Sequence, residues 1–325
     1  MINYRKNFCI IGGLGFVGST LTNFLLKKGA NVVVIDNERT GSILNIYPEN
    51  IKNENLTIIK LDINNQGVNL SKIIEKVDYV IHLATIGIID SQLDFNDTFN
   101  VNVKSVVSLL ELCSRFNKRL LYISSASVYG NQTIVPTPED VVLNPLSVYG
   151  ISKLTAEYYC LYYFYLYKTP VSIIRYSNVY GPKQRPNLTS SGVITQFIYS
   201  ILANKTVNIY DTGIQTRDYT YISDVVDLTL KVLFNNNTIG DIFNCGTGIE
   251  TTVLDLARKI FNILDVEPNI NYLQKRHTDN IFRRALNCNK AFLKLDWIPQ
   301  VSLNDGIEKT IEDIKQLKLE TLGII

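Results

Sequence analysis

The sequence predicts an α/β protein built on a doubly wound parallel sheet, and two observations lead to this prediction. In the first half of the 325-residue chain, short apolar runs alternate with longer amphipathic segments, in the order strand, helix, strand. The strand runs are almost continuously apolar, as expected when helices cover both faces of a parallel sheet. Beyond about residue 178 the alternation loosens, which predicts a smaller C-terminal lobe interleaved with the first.

The elements of the first half follow from their residue patterns in chain order. The run FCII predicts the first strand, and FVGSTLTNFLLKK predicts a helix that stops at Gly29, after two lysines that suit a helix C-terminus. Further strands are predicted in NVVVID, LTIIKLDI and DYVIHLA. A helical pattern over about residues 97–116 leads into the strand RLLYISS. Together these elements predict a Rossmann-like domain.

The second half shows fewer regular elements. A helix begins near Tyr149, PVSIIRYSN predicts a sixth strand, and the glycine and prolines of YGPKQRPN predict a long loop. Helices are then predicted near residues 193–203, from 223, near 254 and near 303, with short strands near 207 and 219 and in DIFNCG. We therefore predict a first domain of residues 1–177, to which part of 216–245 returns, and a second lobe of residues 178–325.

Charge and composition exclude several classes of function. The formal net charge is +2 without a basic run, so nothing indicates a nucleic-acid partner. The two histidines, His82 and His277, are too isolated for a zinc site, and we expect no metal. No stretch approaches the roughly 20 apolar residues of a membrane span, and the N-terminus lacks a signal peptide's long apolar region. Five scattered cysteines without a Cys-x-x-Cys pair suit reduced thiols, so we expect a soluble, cytoplasmic protein.

The helix after Tyr149 is rich in aromatic residues. It carries Tyr158, Tyr159, Tyr162, Tyr163, Phe164, Tyr165 and Tyr167. Because rings all around a helix cannot face one small core, we expect one side to pack on the sheet and another on a partner, where aromatic residues are enriched. A thick core is the alternative. We expect a homodimer formed through the helices near residues 97–116 and 149–168.

The segment GGLGFVG, residues 12–18, predicts a phosphate-binding turn because it follows a strand and opens a helix. Its glycines allow a tight turn and close approach of the backbone to a pyrophosphate at the helix N-terminus. Taken alone, the pattern could also be an ordinary strand-to-helix turn. Asp36 closes the next strand, where a carboxylate can bind both ribose hydroxyls of an adenosine, so NAD is favoured over NADP. The nearby Arg39 is the residue that could favour NADP instead.

Two further segments fit a nucleotide site. Asp62 could reach the adenine edge, and Ala84 would let backbone approach the cofactor, although a turn aspartate and a small core residue are equally good explanations. The residues of these segments expected to bind NAD are Gly12, Gly15, Phe16, Val17, Gly18, Asp36, Asn37, Asp62, Ile63, Leu83 and Ala84.

The stretch SVYGISK places a tyrosine four residues before a lysine. On a helix this spacing puts Tyr149 and Lys153 on one face, about one turn apart. A free tyrosine has a pKa near 10, too high for a base at neutral pH, and a neighbouring ammonium lowers that pKa by favouring the phenolate. Taken alone, the pair could also belong to an ordinary surface helix.

These motifs together resemble those of a known family. Besides the glycine motif and Asp36, the chain contains SSASVYG at 124–130, YGISK at 149–153, RYSNVYGP at 175–182 and TRDYTYISDVV at 216–226. This set is similar to the extended short-chain dehydrogenase/reductase family, in particular its NAD-dependent nucleotide-sugar epimerases and dehydratases, over about residues 7–315. The resemblance implies that Tyr149 is the catalytic base and that Ser125 hydrogen-bonds the reacting hydroxyl. It also implies that Lys153 lowers the pKa of the tyrosine and holds the nicotinamide ribose.

The resemblance makes the second lobe a substrate-binding lobe. It implies that Asn178, Arg217, Arg276 and Asp279 surround the diphosphate and ribose of a nucleoside-diphosphate sugar. Arginine offers forked donors to phosphate oxygens, and an aspartate can accept from ribose hydroxyls. Considered alone, Arg276 could equally be a solvated surface residue.

Positions 126 and 127 guide the choice of reaction. Dehydratases of the family usually carry Asp-Glu directly after the catalytic Ser or Thr, whereas this chain has Ala126 and Ser127. The resemblance therefore favours a 4-epimerase, which oxidises carbon 4 of the sugar and reduces the ketone from the other face. A 4-dehydrogenase that releases the 4-keto sugar is the main alternative. A 4,6-dehydratase and a non-catalytic NAD-sensing protein are less favoured, and the identities of the base and the sugar stay open.

Overall fold

The computed structural model describes residues 3–64, 70–185, 191–276 and 280–321, with side chains up to residue 316. The chain divides into two compact units, each made of three separate stretches. The first consists of Met1–Val128, Ser147–Arg175 and Val226–Phe243, and the second of Tyr129–Leu146, Tyr176–Val225 and Asn244–Ile325. The domain boundary predicted at residue 177 stays a prediction. The sequence did not indicate that residues 129–146 group with the second unit.

Strands and helices alternate through most of the described chain. The strands are β1 (Asn7–Ile11), β2 (Asn31–Asp36), β3 (Leu56–Lys60), β4 (Tyr79–His82), β5 (Arg119–Ser125), β6 (Val171–Tyr176), β7 (Asn178–Tyr180), β8 (Val207–Tyr210), β9 (Thr216–Arg217), β10 (Tyr219–Tyr221), β11 (Ile242–Cys245), β12 (Thr251–Thr252) and β13 (Ile270–Leu273). The helices are α1 (Phe16–Lys27), α2 (Pro48–Ile51), α3 (Leu70–Lys76), α4 (Phe95–Phe99), α5 (Ser105–Arg115), α6 (Val148–Tyr167), α7 (Val193–Leu202), α8 (Ile222–Phe234), α9 (Val253–Leu264), α10 (Asn289–Leu295) and α11 (Leu303–Thr321). A π-helical segment, Asn100–Lys104, joins α4 to α5.

A seven-stranded sheet organises the first unit, with the strand order β11-β6-β5-β4-β1-β2-β3. β1 pairs in parallel with both β2 and β4, and its register sets Ile11 opposite Ile35 on one side and His82 on the other. β2 and β3 therefore lie on one side of β1, and β4 and β5 on the other. Ligands of open α/β sheets bind where the strand order reverses in this way, beyond the carboxyl ends of the strands.

Helices cover both faces of this sheet. On one face, a buried cluster joins Cys9, Ile11, Val80, Leu120 and Tyr122 of the strands to Val106, Leu109, Cys113, Ala156 and Cys160 of α5 and α6. On the other face, Phe8 of β1 packs on Phe234 of α8, with ring centroids 6.0 Å apart. The predicted α/β fold with a parallel, helix-flanked sheet is confirmed.

The second unit contains shorter strand pairs. β7 pairs with β10 and β8 with β13 in parallel, whereas β9 and β12 are antiparallel. Asp218, between β9 and β10, is fully buried, and its carboxylate accepts hydrogen bonds from the backbone amides of Thr247, Gly248 and Leu286. One carboxylate thus fixes the turn after β11 and the segment before α10.

Two absences hold for the described part of the chain. None of its helices is both long and apolar enough to cross a bilayer. In the same residues, no group of three His, Cys, Asp or Glu side chains is arranged to hold a metal ion.

Candidate active site

The glycine turn between β1 and α1 is closely surrounded by backbone. Gly12 has a φ of +81°, a conformation that suits glycine. A Cβ added at Gly12 would lie 2.6 Å from the Ala84 nitrogen, and one at Gly18 would lie 2.1 Å from the Gly12 carbonyl oxygen. A side chain at either position would push α1 or the end of β4 away, so the turn needs glycine at both.

The N-terminus of α1 faces this turn. The helix begins at Phe16, directly after Gly15, and its first turn has no acidic residue. The first amides of a helix, here those of Phe16, Val17 and Gly18, have no acceptor within the helix, and the helix dipole adds partial positive charge. The predicted residues therefore form a place that a pyrophosphate fits.

Asp36 closes β2 and is held against the glycine turn. Its Oδ2 accepts from the Leu14 amide at 2.9 Å, and its Oδ1 accepts from the Glu38 amide at 2.8 Å. Each carboxylate oxygen has a second acceptor position, so Asp36 keeps capacity for ribose hydroxyls. A Cβ at Gly41 would lie 2.8 Å from both carboxylate oxygens. Gly41 therefore packs against the Asp36 carboxylate, a contact that no sequence motif indicated.

The polar residues beyond β2 and β3 are paired with each other. Asn37 donates to the Asp62 carboxylate at 3.2 Å, and Ile63 follows in the same turn. Arg39, which could have favoured NADP, forms an ion pair with Asp97. The structure thus brings Asn37 and Asp62 together and engages Arg39 elsewhere.

The end of β4 lies against the glycine turn. The amides of Leu83 and Ala84 both donate to the Ile11 carbonyl, at 2.8 and 3.0 Å. Their backbone therefore meets Gly12 at the carboxyl edge of the sheet, as the predicted approach of backbone to the cofactor requires. The residues expected to bind NAD after β1, β2, β3 and β4 all lie along this edge.

The helix that carries Tyr149 and Lys153 begins where its sequence indicates. The Ser147 hydroxyl accepts from the Gly150 amide at 3.0 Å and caps α6. The Lys153 Nζ lies 5.9 Å from the centroid of the Tyr149 ring and donates to the Ile123 carbonyl of β5 at 2.8 Å. The helical pairing predicted from the four-residue spacing is therefore present.

Lys153 is an ammonium group placed in the protein interior. Its side chain is only 2% exposed, and this burial lowers the pKa of Lys153 to about 7, while the Glu157 carboxylate acts in the opposite direction. A buried lysine of this kind is poised to hold or release a proton near neutral pH.

Ser125 ends β5, two residues beyond the carbonyl that accepts from Lys153. Its Oγ accepts from the Ser127 amide at 3.1 Å and lies 3.2 Å from the Ser127 hydroxyl. The strand end thus carries Ser125 to the same edge of the sheet as Lys153. The three residues predicted to be catalytic come from β5 and the first two turns of α6.

Asn102 is a further residue of this region that the sequence analysis missed. It lies fully buried in the π-helical segment, where its Oδ1 accepts from the Ile86 amide at 2.8 Å and from the Thr85 hydroxyl at 3.1 Å. Its Nδ2 donates to the Ser152 hydroxyl at 2.9 Å. Asn102 therefore connects the loop after β4 to the residue next to Lys153. An asparagine inside an apolar helical pattern was the available signal.

The predicted substrate residues that the structure describes lie in the second unit. The Asn178 amide, at the start of β7, donates to the Asp218 carbonyl at 3.0 Å, and Arg217 precedes Asp218 at the end of β9. Asn178 and Arg217 are therefore neighbours. The Arg276 side chain is exposed, and its guanidinium stacks on Tyr210, 4.1 Å from the ring centroid. Asp279 lies outside the described residues.

Comparison with known proteins adds to this geometry. The model of a family described as the NAD dependent epimerase/dehydratase family matches residues 8–246. The UDP-glucose 4-epimerase of Mycolicibacterium smegmatis is 33% identical over 308 residues, which cover 93% of this chain and 96% of that protein. The dTDP-D-glucose 4,6-dehydratase of Dictyostelium discoideum is 32% identical over 359 residues, covering 94% and 81%.

A solved structure is equally similar. The UDP-glucuronic acid 4-epimerase of Bacillus cereus, in complex with UDP-glucuronic acid and NAD, superposes with a TM-score of 0.87 at 33% identity, covering 96% of this chain and 99% of that one. Epimerases and a dehydratase thus resemble this chain to nearly the same degree. The choice between reactions has to come from individual residues.

Proposed function

The chain belongs to the NAD-dependent epimerase/dehydratase family, and from this premise we propose that it is a nucleotide-sugar 4-epimerase. It is an NAD-dependent enzyme of the extended short-chain dehydrogenase/reductase type. The proposed reaction oxidises the alcohol at carbon 4 of a nucleoside-diphosphate sugar and reduces the ketone from the other face. The observation that carries the proposal is the buried Lys153 ammonium beside Tyr149.

Tyr149 is the proposed base and acid of this reaction. Its phenolate takes the proton of the 4-hydroxyl during oxidation, and the resulting phenol returns a proton to the oxygen during reduction. The Lys153 charge favours the phenolate, and the Ser125 hydroxyl hydrogen-bonds the reacting oxygen. NAD, when bound, supplies the acceptor and donor of the hydride. Because the proton and the hydride both return to the sugar, the reaction needs no second oxidant.

The residues that we propose to hold NAD fit the group. The glycine turn and the α1 N-terminus suit its pyrophosphate, and the retained acceptor positions of Asp36 suit the hydroxyls of the adenosine ribose. Asn37 and Asp62 lie next to the expected place of the adenine, and Lys153 is the proposed donor to the nicotinamide ribose.

The two positions after Ser125 support an epimerase over a dehydratase. Elimination of water needs an additional acid and base, whereas Ala126 is buried and Ser127 hydrogen-bonds Ser125. Neither side chain transfers protons readily at neutral pH. A 4-dehydrogenase would use the same three catalytic residues, so an experiment has to separate it from the epimerase.

We further propose that Asn178, Arg217, Arg276 and Asp279 bind the nucleoside diphosphate. Both arginines carry the forked donors that suit diphosphate oxygens. The similar proteins named above act on or bind UDP-glucose, UDP-glucuronic acid and dTDP-D-glucose. UDP- and TDP-sugars are therefore the first substrates to test.

The test of the reaction uses the purified protein with UDP-, TDP-, GDP- and CDP-hexoses, supplied singly. The absorbance of reduced nicotinamide and the sugar product are followed together. The expected result is a carbon-4 epimer without a lasting rise in that absorbance. A lasting rise with release of a 4-keto sugar would replace the epimerase by the dehydrogenase.

The test of the mechanism is the substitution Tyr149→Phe. Loss of the phenolic oxygen removes the base and should lower kcat by about 10²–10⁴-fold, with the fold retained. The matched control is Tyr272→Phe in β13, because that side chain is 54% exposed and loses only a solvated hydroxyl. Full turnover by the Tyr149→Phe variant would contradict the proposed role of Tyr149 as the base.

Two properties of the whole protein complete the proposal. We propose a homodimer formed through the helices near residues 97–116 and 149–168, supported by the aromatic side chains that α6 exposes. We also propose a cytoplasmic location, supported by the five cysteines, which are all free thiols.

A further inference from the structure

A buried ion pair lies one helical turn beyond Lys153, between Glu157 of α6 and Arg175 of β6. Glu157 and Arg175 are 1% and 2% exposed, and the guanidinium donates from Nη2 to Oε2 at 2.7 Å and from Nε to Oε1 at 3.0 Å. The Ser124 hydroxyl donates to the same carboxylate. Forked pairing of this kind fixes geometry as well as charge. One carboxylate therefore joins α6, β5 and β6.

Glu157 of this pair lies on the same face of α6 as Tyr149 and Lys153. Tyr149, Lys153 and Glu157 recur every four residues along α6, so they share one face of the helix. Ser124 directly precedes Ser125 at the end of β5. Glu157 thus fixes the catalytic face of α6 against the strand that carries the third catalytic residue.

Stability alone is a weak reason for such a pair. Two charges lose their hydration on burial, and well-packed apolar residues of similar volume are often as stable or more stable in their place. Here, however, the carboxylate lies one helical turn from a second buried cation, the Lys153 ammonium. A nearby carboxylate favours the charged form of this buried lysine, which explains the ion pair better than a contribution to stability does.

Glu157 supplies a negative charge one helical turn from Lys153. The titratable and charged groups around Lys153 and this pair are Tyr149 and Cys160 of α6, Tyr122 of β5, His82 of β4 and Arg175 of β6. Burial raises the pKa of the Cys160 thiol and of the Tyr122 phenol, which keeps both neutral. The Glu157 carboxylate is the main influence that raises the pKa of Lys153 against the effect of burial.

We propose that Glu157, fixed by Arg175 and Ser124, is a positioning residue that keeps the Lys153 ammonium charged beside Tyr149. The catalytic meaning of this role rests on the proposed function, but the charge coupling does not. Without the carboxylate, the buried lysine loses its proton at lower pH, and the Tyr149 phenolate loses its counter-charge.

The test is the titration of Tyr149 in the protein without ligands, because neighbouring groups such as Tyr149 and Lys153 titrate as a coupled pair. The ultraviolet absorbance of tyrosinate is recorded against pH for each protein and for its Tyr149→Phe counterpart, and the difference isolates Tyr149. The amide of Glu157→Gln keeps the shape and loses the charge, one helical turn from Lys153 but two turns from Tyr149. The main effect is therefore on Lys153, which loses its proton more easily and no longer favours the phenolate, so the Tyr149 midpoint should rise by about one pH unit. An unchanged midpoint would overturn the proposal.

Further variants keep the test decisive. Glu157→Asp retains the charge and should titrate close to the wild type. The double variant E157Q/R175Q leaves no unpaired charge behind, so it should fold if Glu157→Gln does not. Its rise should be at least as large, because no unpaired guanidinium is left to favour the phenolate.

The matched control is Arg119→Gln. Arg119 is also buried and bonds to Ser172 and Thr238, but it lies at the other end of β5, about 13 Å from Ile123. Its loss should destabilise the fold and leave the Tyr149 midpoint in place. An equal rise in this control would assign the effect to general loosening and reject the role of Glu157.

Failure of this inference can be told apart from failure of the proposed function. The titration needs neither NAD nor a sugar, so a rise in the midpoint supports the inference even if no nucleotide sugar turns over. If turnover is found, Glu157→Gln should lower kcat at neutral pH by about tenfold with KM unchanged. Turnover with an unmoved midpoint would keep the function and reject the role of Glu157.

Discussion

At the scale of single residues, the site consists of polar groups whose partners lie in other elements. Asp36 is held by two backbone amides, Asn102 by the loop after β4, and Lys153 by a carbonyl of β5. Each of these bonds removes side-chain freedom before a ligand arrives, so less ordering remains for the binding step.

The Arg39–Asp97 pair leads to a prediction about cofactor choice. In Asp97→Asn the guanidinium is released and can approach a 2′-phosphate, for which arginine is well suited. We expect NADP affinity to rise by about three- to tenfold relative to NAD affinity, a modest change because Asp36 still repels the phosphate. Calorimetric titration of both cofactors measures the ratio. Asp227→Asn, at an exposed carboxylate of α8, serves as the control, and an unchanged ratio would contradict the role of Asp97.

The buried His82 leads to a prediction about stability against pH. Burial, assisted by the Lys153 ammonium, lowers the pKa of His82 to about 3, whereas an unfolded histidine titrates near 6.5. Between these values the unfolded chain binds the extra proton, so the free energy of unfolding falls as the pH falls from about 6.5 to about 3. The fall attributable to His82 is on the order of 5 kcal/mol.

The variant His82→Asn removes this titration. Urea unfolding at several pH values across the window should show a smaller slope than in the wild type, whatever the stability of the variant at neutral pH. Acidic groups contribute equally to both proteins and cancel in the comparison. If the free energy of unfolding changes with pH equally in the variant and the wild type, His82 does not cause the loss of stability, and the prediction is wrong.

Residue positions were predictable from sequence where a recognisable motif carries them. Gly12, Asp36, Tyr149 and Lys153 follow from motif spacing, and the structure places them at one edge of the sheet. Asn102 belongs to no such motif, and its partners, 16 and 50 residues away, become neighbours only in the fold. The role proposed for Glu157 likewise depends on Arg175, which belongs to another element.

At the scale of elements, the buried strands were the most predictable part of the fold. β1, β2 and β5 each contain four consecutive apolar residues, so sequence alone marks them. α3 and α10, with seven residues each, were not predicted because so few residues do not establish a helical period. The π-helical turn before α5 was missed since its residues fit an α-helical pattern equally well.

The contact between α1 and the glycine turn predicts the effect of Gly18→Ala. The added methyl meets the Gly12 carbonyl oxygen, so α1 has to move and its N-terminus loses alignment with the turn. We expect the Kd for NAD to rise by roughly tenfold or more, which is about 1.4 kcal/mol, as measured by calorimetry. Gly29→Ala at the other end of α1 is the control, since its positive φ costs stability without touching the turn. Equal NAD affinity in the Gly18 variant would refute this account.

At the scale of the whole molecule, α6 leaves an aromatic surface exposed. Tyr158, Tyr162 and Tyr165 are 60%, 53% and 66% exposed, while Ala156 and Cys160 of the same helix are buried in the core. The sequence predicted that the rings would divide between two sides, and contiguous exposed apolar surfaces of this kind mark interaction sites.

The proposed homodimer can be tested on this surface. The variant Y162E/Y165E places two like charges where the partner helix would pack, and it should convert a dimer into a monomer at micromolar concentration, as measured by analytical ultracentrifugation. Ile214→Glu, at an exposed apolar residue of the second unit, should stay dimeric. A wild-type protein that sediments as a monomer under these conditions would rule the dimer out.

The strand order of the sheet has a consequence for biosynthesis. β5 receives its outer neighbour only when β6, ending at Tyr176, has left the ribosome, and the outermost strand is complete only at Cys245. At ordinary rates of translation, the growing sheet therefore keeps an open apolar edge for roughly several seconds. Unpaired backbone along such an edge is a template for pairing with other nascent chains. Production of this protein should accordingly depend on chaperones that shield β5 while the chain is being made.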